Sequence, residues 1–426
     1  MLIDRASAPL LTSIGSALRR RLKASSYQFE PASTPDRRQL LVDLSVIVQR
    51  DARTGIQRVV RALLGQLMAY SGPDLAVVPV FAARDHGYCH ARRTPDGQLE
   101  MTSQHRRVLQ PVAVRSGDIF LGLDLAAHLL PQAESDLRRW RSEGVSINLM
   151  VYDLLPLHHP EWFPARTVRN FDRWLGVLAR QADRCICISR AVAAMLAPAL
   201  AMRVHGIMPD IVCIPMGADL AASHPSSGLP SNIAEVRDWL RRHRVLLCVG
   251  TIEPRKGHEP VLAALEHLWQ SRPASDIALL LVGRPGWKTA ILQKRLRLHP
   301  EQGRRLLWLD QASDELLGEL YGSASGLIAA SRGEGFGLPL IEALAHGAPV
   351  LARDLDVFRE TGGPLFEYFD DDAPQMLGER IERWLSGAPR VSAERVAALP
   401  RWVDSAGALA AILGLPQRPT SISVTS

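Results

Sequence analysis

Two glutamates and a glycine-rich turn stand close together in the stretch "SRGEGFGLPLIEALAHG", residues 331–347. Glu334 lies in the turn, and Glu342 lies within the helix predicted to follow it. Glycines let the backbone approach a ligand closely, and the free amides at a helix start favour an anion. The turn is therefore predicted to hold a phosphate, with Glu334 facing the group beyond it and Glu342 accepting both hydroxyls of a ribose.

A basic loop in the stretch "VGTIEPRKGHEPV", residues 249–261, complements this turn. A predicted strand ends at Gly250, and Arg255 and Lys256 follow in the loop before the next helix. Arginine offers a bidentate fork and lysine a compact point charge, which suits a diphosphate. Two acids and two cations around one phosphate site indicate a nucleotide sugar, whose leaving diphosphate gains charge as the bond breaks.

The elements that must position these residues alternate between short apolar runs and helix-period segments, which is typical of doubly wound parallel sheets. The predicted strands are 40–47, 76–81, 118–123, 146–151, 184–189, 211–215, 245–250, 278–283, 306–309, 326–331 and 349–352. The main predicted helices are 55–69, 132–143, 165–182, 258–270, 313–322 and 339–346. The pattern predicts an α/β protein with two Rossmann-like domains facing a cleft.

A stretch rich in Pro, Gly, Ser and Asn, residues 215–235, marks the predicted linker between the two domains. We predict a basic N-terminal arm over 1–36, an acceptor-side domain over 37–225 and a nucleotide-sugar-binding domain over 240–400. A compact apolar helix over 401–413, with Trp402 as its anchor, is expected to return toward the first domain.

The charge pattern limits the partners of the chain. A net charge of +6 over 426 residues is too dilute for a dedicated nucleic-acid binder. Basic residues follow apolar ones in "LLTSIGSALRRRLKASS" (10–26), which predicts either an amphipathic helix on an anionic membrane or a solvated arm. Since no apolar run reaches the ~20 residues needed to span a bilayer, we expect a cytoplasmic protein, peripheral to the inner face of the cell membrane.

The C-terminal half resembles a retaining glycosyltransferase of the GT-B fold, in the large family 4 that includes many bacterial mannosyltransferases. Glu334 and Glu342 match the E-x7-E motif of that family, and "EPRKG" matches its diphosphate loop. The likeness extends, more weakly, over about residues 40 to 412. It implies that Glu334 contacts the transferred sugar, that Arg255 and Lys256 assist the diphosphate, and that Glu342 holds the ribose. It also implies backbone contacts to the diphosphate from Gly335, Phe336, Gly337 and Leu338, and a nucleobase near Ala312.

The N-terminal half is similar to a subgroup often found in O-antigen and capsule clusters. The resemblance places Gly55 at a strand-to-helix turn where donor and acceptor approach, with Arg58 on the acceptor side of the helix start. In "VYDLLPLHHPEWF" (151–163), Tyr152 stands where family members often carry a functional histidine. Asp153 is therefore expected among the catalytic residues, with His158 or the adjacent histidine on the acceptor side.

The donor and acceptor are expectations from the same likeness. Members with mannosyltransferase character often read "GTIEPRK", which favours GDP-mannose as donor and a glycan or polyprenyl-linked oligosaccharide as acceptor. The alternatives are a UDP- or dTDP-sugar donor, a nucleotide sugar epimerase, or a nucleotide-binding protein without catalysis. The triplet in "FDDDAP" (369–374) is interpreted as a turn and helix cap, and relatives work without a bound ion, so no metal and no cofactor are expected.

Overall fold

The structure is a computed structural model that describes residues 28–29, 36–83, 86–93, 99–100, 108–223 and 225–418 of the chain. The predicted N-terminal arm, with its basic run at 19–23, lies outside the described residues, apart from a two-residue strand and the arm's last residue. None of the described helices has the length and apolar character needed to cross a bilayer.

The N-terminal domain is built on a seven-stranded sheet with the order β7-β6-β5-β4-β1-β2-β3. Its strands are Arg38–Asp43 (β1), Leu75–Ala83 (β2), Gly87–His90 (β3), Ile119–Gly122 (β4), Ser146–Val151 (β5), Arg184–Cys187 (β6) and Asp210–Cys213 (β7). All neighbours are parallel except β2 and β3. The central strands are buried on both faces, which explains their continuous apolar sequence.

The C-terminal domain is built on a six-stranded, all-parallel sheet with the order β10-β9-β8-β11-β12-β13. Its strands are Arg244–Val249 (β8), Ile277–Val282 (β9), Leu306–Leu309 (β10), Gly326–Ala329 (β11), Val350–Arg353 (β12) and Phe366–Phe369 (β13). Separate apolar clusters cover its two faces. The predicted alternation of strands and helices is confirmed in both halves of the chain.

The helices are labelled in chain order. Those of the N-terminal half are Ser45–Gln49 (α1), Gly55–Leu67 (α2), Glu134–Ser142 (α3), Leu155–His158 (α4), Ala165–Gln181 (α5) and Arg190–Ala201 (α6). Those that follow are Ile233–Arg242 (α7), His258–Ser271 (α8), Ala290–Arg297 (α9), Asp314–Ser323 (α10), Leu338–Ala345 (α11), Asp356–Gly362 (α12), Pro374–Gly387 (α13), Ala393–Ala397 (α14) and Trp402–Ile412 (α15).

Helix α7 packs on the C-terminal sheet, so this domain starts at about residue 233 instead of 240. Val236, Trp239 and Leu240 have the i, i+3, i+4 spacing of one helix face, and all three are buried in the C-terminal core. Their face is narrow and lies within a strongly polar segment, which is why the sequence pattern alone did not extend the domain this far.

Helix α15 leaves the C-terminal domain and packs against α2 of the N-terminal domain. Trp402 is fully buried in the N-terminal core, and its backbone amide donates a 2.8 Å hydrogen bond to the Asp219 carboxylate. A side chain at Gly217 would collide with Trp402, since a Cβ there would lie 2.4 Å from its amide nitrogen. The chain therefore ties the two domains together at two places, at the linker and at this helix.

A buried acid at the end of β1 gives the N-terminal domain a pH dependence. Asp43 is inaccessible to solvent and accepts hydrogen bonds from the Ser45 amide at 2.9 Å and the Tyr88 hydroxyl at 3.0 Å. Burial raises the pKa of Asp43 to about 7, against the lowering effect of these hydrogen bonds. Asp124 lies nearby, and burial raises its pKa to about 6.

Stability is expected to fall as pH rises from about 4 to about 7, because the native state keeps the Asp43 proton that the unfolded chain releases. The Asp43→Asn variant is neutral throughout, so it should melt several degrees higher than the wild type at about pH 8 and lose this advantage as the pH falls to about 4. Asp124 is present in both proteins, so both should still lose a smaller amount of stability over this pH range as the pH rises. Melting curves across this range check the prediction, and parallel profiles for the two proteins would contradict it.

Candidate active site

The glycine-rich turn of residues 330–337 lies between β11 and α11, where the C-terminal sheet faces the N-terminal domain. We call it the donor turn, because the sequence predicts that it binds the donor. Gly337 has φ +98° and occupies the position before the first residue of α11, and Pro339 fits the first helical turn. A Cβ at Gly337 would lie 2.7 Å from the Phe358 ring, so glycine is required both by conformation and by space. The turn therefore leads directly into the start of α11, and its anion-binding role stays a prediction.

Arg255, Lys256 and Glu334 form one ionic group at this turn. The Arg255 guanidinium lies 2.9 Å from one Glu334 oxygen, and the Lys256 ammonium binds the other. Burial alone raises the pKa of Glu334, but the Lys256 and Arg255 charges outweigh it and lower the pKa to about 2. Glu253, which is 3% exposed, contacts Arg255 from behind at 2.8 Å. Glu334 is therefore ionised at neutral pH and neutralises the cations predicted to bind a diphosphate.

The opposite wall of the cleft comes from the segment after β5. The Asp153 carboxylate accepts a 3.1 Å hydrogen bond from the Leu155 amide. It also interacts with the positive charge of Arg255. Burial raises the pKa of Asp153, and Arg255 offsets this only in part. The Tyr152 ring turns the other way, into the N-terminal core, where its hydroxyl donates a 2.6 Å hydrogen bond to the Leu123 carbonyl. Its side chain does not enter the cleft and cannot replace a histidine there.

Gly335 joins the donor turn to the N-terminal domain. A Cβ at this position would lie 1.9 Å from the Tyr152 carbonyl oxygen and 3.3 Å from the Asp153 Cβ. The Gly335 carbonyl accepts a 2.7 Å hydrogen bond from the Ser189 hydroxyl, which also caps α6. The two main chains are thus in direct contact across the cleft, and only glycine permits this approach.

Glu342 is buried on α11, 2% exposed, and both of its oxygens have partners. Arg58 of the N-terminal domain binds one oxygen and also binds Asp314 at the start of α10. The Tyr321 hydroxyl donates a 2.9 Å hydrogen bond to the other oxygen. The prediction placed Arg58 on the acceptor side, whereas its guanidinium forms a bridge to two carboxylates of the donor-side domain.

Of the remaining predicted residues, Gly55 lies beside this centre, whereas Ala312 and His158 are described by their exposure and position in the chain. Gly55 begins α2, and a Cβ on it would approach the Leu338 side chain at 3.9 Å, so the α2 start adjoins the donor turn. Ala312 is exposed in the loop before α10. His158 is exposed at the end of α4, and the ring of His159 stacks on Trp162 at 3.9 Å between centroids.

The structure adds residues that the sequence reasoning missed. Thr361 donates a 3.0 Å hydrogen bond to the carbonyl of the predicted residue Phe336. Ser226 donates two 2.8 Å hydrogen bonds to Asp314, one from its amide and one from its hydroxyl. Tyr321 looks in sequence like an ordinary core residue of α10, and Asp314 looks like a helix-start acid after the Ser313 cap. In the part of the chain that the structure describes, no cluster of three or more His, Cys, Asp or Glu side chains has the arrangement of a metal site.

Arg58 is expected to hold the domains together, because its removal leaves the buried Glu342 carboxylate without its cation and leaves Asp314 to the more distant Arg53, at 3.9 Å. Arg58→Ala should lower the free energy of unfolding by about 3 kcal/mol. Arg58→Lys keeps the charge but cannot bind both carboxylates with a fork, so it should recover only part of the loss. A double-mutant cycle with Glu342→Gln measures the coupling in denaturant melts. Additive effects of the two changes would contradict the bridge.

Comparison with known protein families identifies the C-terminal domain. Residues 233–397 match the model described as glycosyl transferases group 1. The C-terminal domain is a group 1 glycosyl transferase domain. The resemblance given by the E-x7-E and "EPRKG" motifs is therefore confirmed.

Proteins similar to this chain include mannosyltransferases of Escherichia coli. The serotype-specific mannosyltransferase WbdA is 39% identical over 355 residues, which cover 82% of this chain and 41% of the relative. The O-antigen chain mannosyltransferase B is 32% identical over 146 residues, which cover 32% of this chain and 37% of the relative. The chain thus spans less than half the length of the curated relatives named here.

Solved structures confirm the GT-B fold. The trehalose 6-phosphate synthase of Burkholderia multivorans aligns with a TM-score of 0.61 and 14% identity, covering 89% of this chain and 98% of the other. HepE of Anabaena, in complex with UDP and glucose, aligns with a TM-score of 0.54 and 16% identity, covering 88% of this chain and 95% of the other. At such low identity, these likenesses show the fold alone.

Proposed function

We propose that this chain is a retaining glycosyltransferase that moves mannose from GDP-mannose to a hydroxyl of a glycan or a polyprenyl-linked oligosaccharide. The observation that carries the proposal is the ionic group of Arg255, Lys256 and Glu334 at the start of α11, facing Asp153 across the cleft. The similarity to the serotype-specific and O-antigen mannosyltransferases of Escherichia coli supports mannose as the sugar and cell-surface polysaccharide synthesis as the setting. We place this synthesis at the cytoplasmic side of the membrane.

Donor binding replaces one anion by another at two cations. Glu334 neutralises Arg255 and Lys256 in this structure, and a diphosphate with about two negative charges competes for the same cations. The turn amides and the Leu338 amide are proposed to add donors for the diphosphate, whereas Pro339 has no N–H and the Leu340 amide donates to the Gly337 carbonyl at 3.0 Å. Once displaced, the Glu334 carboxylate is free to accept hydrogen bonds from the hydroxyls of the sugar. The exchange favours a ligand that carries both a diphosphate and a sugar.

The reaction then needs little covalent help from the protein. The bond between the sugar C1 and the diphosphate oxygen breaks, and its electron pair leaves with the diphosphate, whose growing charge Arg255 and Lys256 stabilise. The acceptor oxygen attacks C1 from the same face, and its proton passes to the departing phosphate oxygen. Asp153 lies beside this face and orients the acceptor or the sugar. A UDP- or dTDP-sugar would react by the same chemistry.

Binding of different nucleotide sugars distinguishes these donors. Thermal shifts are measured with GDP, UDP, dTDP and their mannose, glucose, N-acetylglucosamine and rhamnose conjugates. We expect one GDP sugar to raise the melting temperature, Glu342→Ala and Lys256→Ala to abolish the rise, and Glu394→Ala on the exposed face of α14 to retain it. If none of the nucleotides or nucleotide sugars raised the melting temperature, the proposal would be contradicted. Release of a new free nucleotide sugar without acceptor would instead favour an epimerase.

A further inference from the structure

The outer face of α9 exposes apolar side chains next to positive charge. Ile291 is 87% exposed and Leu298, directly after the helix, is 72% exposed. A helix turns about 100° per residue, so positions seven apart share a face. Lys294 and Arg297 are exposed beside them, while Leu292 and Leu296 on the opposite side are buried in the C-terminal core. The helix is thus apolar on two sides, only one of which the domain covers.

The charge around this face is concentrated. Residues 284–305 contain seven lysines and arginines and one acid, Glu301, whereas the whole chain has a net charge of +6. Among the described residues, four acids pair with this segment: Glu266 and Glu259 lie near Arg295, Asp310 lies 4.0 Å from Arg297, and Glu301 pairs with Arg305. The seven cations outnumber these four acids, and the exposed Lys294 is in none of these pairs, so the face keeps positive charge beside its apolar side chains. This combination is complementary to an anionic lipid surface.

A cavity opens beside the same face. It has a volume of about 600 Å³, with apolar walls from Ile291, Leu298 and the Trp269 ring. Its charged lining includes Arg295 and Arg305, which pair with Glu266 and Glu301, and Lys294. A lipid that inserts its apolar part beside Ile291 would find the Lys294 ammonium near its headgroup. The cavity lies on the outer side of the C-terminal domain and belongs to a different surface from the donor turn.

The segment that precedes α9 reaches the mouth of the cleft. The Trp287 ring nitrogen donates a 2.8 Å hydrogen bond to the Trp162 carbonyl, and the Lys288 ammonium donates a 2.6 Å hydrogen bond to the Glu161 carbonyl. The Trp162 ring in turn lies against the donor turn, where a Cβ at Gly333 would approach it at 2.9 Å. A surface bound at α9 therefore lies next to the cleft.

We propose that the α9 face, formed by Ile291, Lys294, Arg297 and Leu298, docks on an anionic phospholipid surface. Docking there brings the cleft mouth to the membrane, where a lipid-linked acceptor would be presented. The cations attract the anionic headgroups, and the two apolar side chains enter the interface. These four residues belong to a different part of the chain from the basic run at 19–23. The docking does not rest on the proposed function, because it requires only these surface residues.

Flotation of the full chain with vesicles tests the docking. The wild type should float with vesicles of phosphatidylcholine and phosphatidylglycerol and not with phosphatidylcholine alone. Lys294→Glu with Arg297→Glu should lower the bound fraction about tenfold or more, since each cation near such a surface contributes strongly. Ile291→Ser with Leu298→Ser should leave weak binding that high salt abolishes. Arg241→Glu with Arg242→Glu, the same charge change on exposed positions of α7, should float as the wild type does.

Three outcomes would overturn the docking proposal. The first is a wild type that does not float with anionic vesicles, and the second is a Lys294 and Arg297 variant that floats like the α7 control. In the third, glutamates at Arg19, Arg20 and Arg21 abolish flotation while the α9 variants keep it, which would assign the membrane contact to the arm. Nucleotide thermal shifts on the same variants verify that each is folded. They also test the donor site separately from the membrane surface.

Discussion

Replacing Gly335 with alanine is expected to stop glycosyl transfer while the C-terminal domain still binds nucleotide. The added Cβ would lie 1.9 Å from the Tyr152 carbonyl oxygen, which belongs to the main chain of the other domain. Neither backbone can give way as a flexible side chain would, so the domains are held apart. Misplacement of the reacting groups by about 1 Å costs on the order of 10²-fold in rate, and we expect at least this loss in kcat.

The test compares kcat with the dissociation constant of the nucleotide in the same variant. Gly322→Ala is the matched control, since this glycine lies in α10 with nothing within 4 Å of an added Cβ. It should transfer at the wild-type rate and melt slightly higher, because alanine is the better helix former. Equal losses of nucleotide binding and turnover in Gly335→Ala would contradict a role in domain contact. Turnover of Gly335→Ala at the wild-type rate would show that the close contact between the two domains at Gly335 is not required for transfer.

The fold was predictable because its signals are local. Buried parallel strands need continuous apolar runs, and the helices between them need one apolar face, so strand and helix order can be read directly from the chain. The donor turn was predictable for the same reason, since Gly337, Pro339 and the following helix are neighbours in sequence. The strongest parts of the prediction thus concern features contained within one strand, turn and helix.

Contacts between the domains were not predictable in this way. Arg58 and Glu342 are 284 residues apart, and neither residue type alone indicates that they meet. The close contact at Gly335 is made with the main chain of Tyr152. Any residue at position 152 would supply that main chain, so the residue type does not reveal the contact. The resemblance correctly drew attention to Tyr152 as a departure, but only the structure shows that its ring points into the core. Pairing across a cleft depends on how two folded domains meet, and a sequence pattern does not encode that geometry directly.

Replacing Lys256 with alanine is expected to lower kcat by on the order of 10²–10³-fold, the cost of removing one preorganised charge from a developing anion. The Lys256 ammonium is 14% exposed and binds Glu334, so it acts where water cannot fully replace it. Folding should survive, because Arg255 still pairs with Glu334 at 2.9 Å and with Glu253 at 2.8 Å. The loss should therefore fall on turnover and donor binding instead of stability.

Lys256→Arg separates charge from geometry in this prediction. It keeps the positive charge but replaces a compact ammonium by a larger planar group, so it should bind GDP more tightly than Lys256→Ala and still turn over more slowly than the wild type. Steady-state kinetics with an acceptor that supports wild-type transfer, together with nucleotide thermal shifts, give both values. If Lys256→Ala lost less than about tenfold in kcat, the stabilisation of the leaving diphosphate would have to come from Arg255 and the backbone amides alone. In that case the double variant Arg255→Ala with Lys256→Ala would carry the full loss.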